Sequence, residues 1–107
     1  MADVISVYVT AASAEEAERI GRTLVEERLA ACANVLPGVV SIYWWEGAVQ
    51  RDHEVALVLK TRAALFERLA ARVRELHGYQ QPCIVAWPIA HADPGYRRWL
   101  EQETAAG

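Results

Sequence analysis

The sequence predicts an α+β fold of the split βαβ, ferredoxin-like kind, βαββαβ with a short C-terminal helix and one antiparallel sheet. Three observations predict it. Segments with strand and helix periodicity succeed one another as strand, helix, strand, strand, helix, strand. The strand segments are apolar on both faces. The two main helices are enough to cover only one of those faces. Along Val55 to Leu59, Val55, Leu57 and Leu59 point one way, and Ala56 and Val58 the other. Along Val39 to Trp45, Val40, Ile42 and Trp44 oppose Val39, Tyr43 and Trp45. A strand apolar on both faces must be covered on both, and the expected cover for the second face is another copy of the chain.

The elements follow in order. Val4 to Thr10, rich in Val, Ile and Tyr, reads as the first strand. Ser13-Ala-Glu-Glu16 has the form of a capping box and starts the first helix, in which Ala17, Ile20, Leu24 and Val25 recur at helical spacing. That pattern fades near Ala31, and Pro37-Gly38 punctuates the chain. Val39 to Trp45 is the second strand. The polar segment Glu46 to His53 is expected to contain the hairpin turn, and Glu54 to Thr61 is the third strand. Thr61 is expected to cap a second helix whose stripe is Leu65, Leu69, Val73 and Leu76, with Gly78 at its end. Cys83 to Trp87 is the fourth strand, stopped by Pro88. Asp93-Pro94 opens a final short helix through Trp99.

In this topology both long helices lie on one sheet face. The other presents Tyr8, Tyr43, Trp45 and Val58, or their neighbours of opposite parity; the pattern leaves the choice open. Either surface covers roughly several hundred Å2, large enough to mark an interaction site. Trp44 and Trp45 alternate, so at most one can fill the monomer core, and the other is expected at an interface or cleft.

Bulk properties narrow the function. The 107 residues fit one domain, 1–107. A net charge of -3 with no basic run gives no support for nucleic-acid binding. No apolar stretch approaches the roughly 18 residues of a membrane span, and the Met-Ala-Asp-Val start has no secretory pattern. A cytoplasmic protein is expected, with Cys32 and Cys83 as free thiols.

Arg28 to Asn34, Ser41 to Gly47, Glu54 with Lys60-Thr61, His77-Gly-Tyr79 followed by Pro82, and Tyr96 with Trp99 together resemble the CutA divalent-cation tolerance proteins. The resemblance covers nearly the whole chain, in order. It implies a homotrimer related in shape to the PII signalling proteins, with a role in tolerance of copper or another divalent metal and no known catalytic reaction. A copper site proposed in some bacterial members uses a Cys, a His and a Glu. The matching positions here hold Val9, Leu76 and Cys83, so that set does not carry over intact.

The donors are Cys32, Cys83, His53, His77 and His91, none at a close ligand spacing. Topology gathers Cys83, His77 and Thr10 at one end of the sheet. His77 and Cys83 are therefore the candidate metal ligands, the thiol suiting Cu(I). Tyr43, Trp45, Lys60 and Tyr79 are the candidate interface or cleft residues. Cys32, in an apolar setting, reads as a buried small residue, and His53 and His91 as loop histidines. Glu54 and Lys60 share a strand face, too far apart to pair with each other, and each is expected to meet a charge on another strand or subunit. The alternatives are a PII-like scaffold without metal and a small enzyme of this fold. No nucleophile, base and orienter emerge together, so no catalytic residue is assigned.

Overall fold

The computed structural model describes residues 3–106. Its elements are β1 (Val4–Ala11), α1 (Ala14–Glu26), β2 (Cys32–Trp45), β3 (Ala48–Arg62), a 3-10 turn (Ala63–Leu65), α2 (Phe66–Leu76), β4 (Ile84–Pro88) and α3 (Pro94–Gln102). The four strands form one sheet in the order β2-β3-β1-β4 with every pair antiparallel. This is the split βαβ arrangement expected from the sequence.

Side-chain parity decides which face is core. Val7 pairs with Leu59 and Val9 with Leu57. These four are fully buried against Ile20 and Leu24 of α1 and Leu69 and Val73 of α2. The even-numbered residues of β1 and β3 therefore face away from both long helices. Tyr8, Val58, Tyr43 and Trp45 belong to that open face, which settles the parity that the pattern left open.

β2 keeps Tyr43 and Trp45 on the open face through an irregularity. Leu36 pairs with Ala56 and Val39 with Glu54, so two steps of β3 are matched by three steps of β2. Gly38, at φ +89°, supplies the left-handed residue that the bulge requires. Pro37-Gly38 is thus a bulge within β2 and not its start.

β3 is longer than expected. The hairpin turn is the two-residue loop Glu46-Gly47, between the paired Trp45 and Ala48. Both loop residues have positive φ, 50° and 82°, the type I′ geometry that matches strand twist. The polar segment after Gly47 is strand. β1 pairs β3 only from Val55 onward, so 39–45 and 48–54 form a two-stranded ribbon beyond the sheet, about 20 Å long at ~3.3 Å per residue. The ribbon lengthens the molecule to 44 Å against 25 and 21 Å in the other directions.

The helix ends show where local chemistry was misread. Ser13 Oγ accepts from Glu16 N at 3.1 Å, as a capping box requires, but Glu16 Oε1 reaches Ala12 N and not Ser13 N. α1 ends at Glu26 with Leu29 N bonded to Leu24 O and Arg28 N to Val25 O, the Schellman pattern. The left-handed residue there is Arg28, φ 64°, in place of the usual glycine. Thr61 does not cap α2. It is the last fully buried residue of β3, and its hydroxyl donates to Leu29 O at 2.7 Å. Asp93 caps α3 as expected, accepting from Tyr96 N. Leu100 of α3 packs with Val4 and Ala31 in a small second core.

Neither Trp44 nor Trp45 fills the core, in keeping with the reading that at most one could, and Trp45 lines a cleft. They are 74% and 40% exposed. Both project from the ribbon.

Candidate functional site

A pocket of about 660 Å3 opens where the ribbon leaves the sheet. Three segments shape it: the end of β1, the root of the β2–β3 ribbon, and the loop from α2 into β4. Tyr8 and Thr10 line it from β1, Tyr43 and Trp45 from β2, Glu54 from β3, and Tyr79 and Cys83 from the loop.

The loop is held by His77. Its Nε2 donates to Thr10 O at 2.7 Å, and its Nδ1 accepts from Tyr79 N at 3.0 Å. The carbonyl and the N–H dictate the tautomer. The side chain is wholly enclosed, and its ring lies 4.6 Å from that of Tyr79. Glu16 secures the same loop from α1. Its Oε2 accepts from Gly78 N at 2.8 Å, and a Cβ at Gly78 would stand 2.9 Å from that oxygen. A side chain at Gly78 would therefore displace the Glu16 carboxylate from its bond to the loop. Burial works against the Glu16 carboxylate, but the N–H groups of Gly78 and Ala12, with His77 and Arg19, outweigh it and hold its pKa below the usual range.

The loop in turn fixes the floor. Tyr79 donates its hydroxyl to Glu54 Oε2 at 2.8 Å. Burial, then the bond to Glu54, pushes the phenol well above the ordinary tyrosine range. At the ribbon, the Tyr43 hydroxyl donates to Asp52, whose Cα partner is Ser41, a diagonal cross-strand contact. That bond raises the Tyr43 pKa. Partial burial and then the Glu54 carboxylate push the Cys83 thiol up, so it is a thiol and not a thiolate at neutral pH.

The structure thus brings Tyr43, Trp45, Tyr79 and Cys83 to one pocket. His77 lies behind it, bonded to two of its lining residues. Lys60 is elsewhere: its ammonium donates to Asn34 Oδ1 at 3.1 Å, and it borders a separate hollow with Ser6, His91 and Tyr96. Within the chain both Glu54 and Lys60 have neutral hydrogen-bond partners, Tyr79 and Asn34. Cys32 is half-buried, with Sγ 3.5 Å from the Tyr96 hydroxyl. That contact, then burial, pushes Tyr96 up to about 12. His53 is an exposed residue of the ribbon strand β3, not of a loop. Among the described residues, no three of His, Cys, Asp and Glu converge as a metal cluster.

Glu54, which lines the pocket, and Asp52, which holds the hydroxyl of the lining residue Tyr43, were not singled out for the site from the sequence. Placing the turn at Glu46-Gly47 would have found them, because hairpin register then sets Asp52 opposite Ser41.

Fold and site together define a small split βαβ protein with a ligand-sized pocket at the root of a projecting apolar ribbon. The chain belongs to the CutA1 divalent ion tolerance protein family, whose model matches residues 5–103. It is 48% identical over 98 residues to the divalent-cation tolerance protein CutA of Thermus thermophilus, covering 92% of this chain and 95% of that one. It is 42% identical over 100 residues to the chloroplastic CutA 1 of rice, covering 94% of this chain and 56% of that one. The chain therefore spans little more than half the length of this plant relative. The crystal structure of rice CutA1 superposes with a TM-score of 0.95 at 40% identity, covering 98% of this chain and 96% of that chain. The Thermus structure gives 0.91 at 47%, covering 98% and 100%.

Proposed function

We propose that this chain serves divalent-cation tolerance as a homotrimer of PII-like shape, and that its pocket becomes a cleft between subunits. One observation carries the reading. Tyr43 and Trp45 line the pocket and also belong to the uncovered apolar surface. Assembly that covers this surface also closes the pocket. The ribbon carries apolar side chains on its other face as well, with Ile42 and Trp44 69% and 74% exposed. Moving each such side chain out of water contributes about 1.5–3 kcal/mol.

Cys83 is the proposed soft donor for copper or another divalent metal, with His77 its proposed neighbour. His77 joins only by releasing Thr10 O or Tyr79 N, so metal binding remodels the loop. The raised thiol pKa means that the metal must displace a proton, and affinity rises with pH. The chain acts by binding and not by catalysis: His77 has both nitrogens committed to backbone groups and serves no nucleophile. Among the described residues no helix is long and apolar enough to cross a membrane. Two free thiols support a cytoplasmic setting.

Calorimetric titration of Cu(I), Cu(II) and Zn(II) into the wild type and Cys83→Ser tests the metal. The reading expects a metal whose affinity falls at least tenfold in the variant. No binding, or binding that the substitution leaves unchanged, contradicts it.

A further inference from the structure

The hydrogen-bond polarity of the pocket specifies more than its shape does. Tyr79 and Tyr43 have each donated their phenolic proton to a carboxylate, Glu54 and Asp52. What both phenols offer a ligand is therefore oxygen lone pairs. Glu54 uses Oε2 for Tyr79, while its Oε1 accepts no hydrogen bond from the described residues. Among the described residues of the chain, no Lys, Arg or His lines the pocket. The walls include the aromatic rings of Tyr8, Tyr43, Trp45 and Tyr79, whose faces carry negative potential. The site is thus rich in acceptors and π-faces, negatively charged, and without a cationic side chain.

We propose that this pocket binds a small organic ammonium ion. Its N–H groups would meet Glu54 Oε1 and the phenol oxygens, and its charge and carbon body would lie against Trp45 and Tyr43. The proposal rests on the reading of this pocket as a ligand site, but not on metal at Cys83. An anionic ligand would face Glu54 with no positive partner. A neutral ligand of the same shape would forgo both the carboxylate and the cation–π attraction. A metal ion would leave the aromatic walls without a role.

The experiment titrates three probes of similar size into the intact protein by calorimetry at low salt: phenethylammonium, 3-phenylpropan-1-ol and 3-phenylpropanoate. The ammonium is expected to bind at least tenfold more tightly than the alcohol, and the carboxylate not to bind. Glu54→Gln is expected to weaken the ammonium at least tenfold while leaving the alcohol unchanged. Trp45→Leu, at a 40% exposed position, provides a second variant and is expected to weaken it several-fold. Equal affinity for ammonium and alcohol, preference for the carboxylate, or no binding of the ammonium by the wild type overturns the proposal. Metal titration of Cys83→Ser reports separately. Metal binding without ammonium binding sinks this inference alone, and ammonium binding without metal sinks the metal reading alone.

Discussion

The Tyr79 hydroxyl sits 2.8 Å from Glu54 Oε2, joining the loop after α2 to the strand at the root of the ribbon. Two segments far apart in sequence are tied at the point where the pocket forms. The backbone of the same loop is held by His77 and Glu16.

Removal of that hydroxyl leaves a half-buried carboxylate with one partner fewer. Tyr79→Phe is expected to lower stability by about 1–2 kcal/mol in urea unfolding. The phenol also has a pH signature. Its folded pKa is raised, so the bond's contribution is complete below the unfolded tyrosine pKa of about 10 and is lost as pH rises beyond it. The gap between wild type and variant should therefore narrow in strong alkali. A gap that widens there would be inconsistent with the assignment.

Glu16 works in the opposite pH direction. Its folded pKa is lowered, so its contribution is present above the unfolded value of about 4.3 and is lost as pH falls through the folded one. Glu16→Gln keeps the shape but removes the charge and one of the two acceptor oxygens, so an amide NH2 must face either Gly78 N or Ala12 N. A loss of about 1 kcal/mol at pH 7 is expected, shrinking on acidification. Chemical denaturation at pH 7 and pH 3 measures both; a loss independent of pH would show that the charge is not the cause.

Gly21 in α1 reports on packing. An added Cβ would lie 3.0 Å from Ala33 Cβ and 3.1 Å from a Leu57 methyl. Helix propensity alone would favour alanine by about 1 kcal/mol. The clash is with neighbours inside the layer between α1 and the sheet, where overpacking costs typically 1–3 kcal/mol. Gly21→Ala is expected to lower the thermal midpoint, whereas a raised midpoint would show that the layer can yield.

The order of strands and helices was legible because Val7, Val9, Leu57 and Leu59 alternate cleanly and Ile20, Leu24, Leu69 and Val73 recur at helical spacing. Boundaries failed where an unusual residue performs a familiar task. Arg28 ends α1 in a left-handed conformation normally given to glycine, and Glu46 opens the I′ turn where asparagine or glycine is customary. Because the turn is not pinned to Glu46-Gly47 by its residue types, 48–53 reads as connection rather than strand, and Asp52 loses its register. Part of the site was legible: Tyr43 and Trp45 share parity, and topology brings Cys83 and His77 to the end of β1. The bond from Tyr79 to Glu54 was not, because it depends on how the loop after α2 folds back and no local periodicity encodes that. Nor does spacing reveal that both nitrogens of His77 are already engaged.

The central claim is that further copies of the chain cover the open face and the ribbon. Sedimentation equilibrium of the wild-type protein at micromolar concentration tests it most directly. The account predicts a single species of three times 11.9 kDa, unchanged on dilution. A monodisperse species of 11.9 kDa at the same concentration would contradict it.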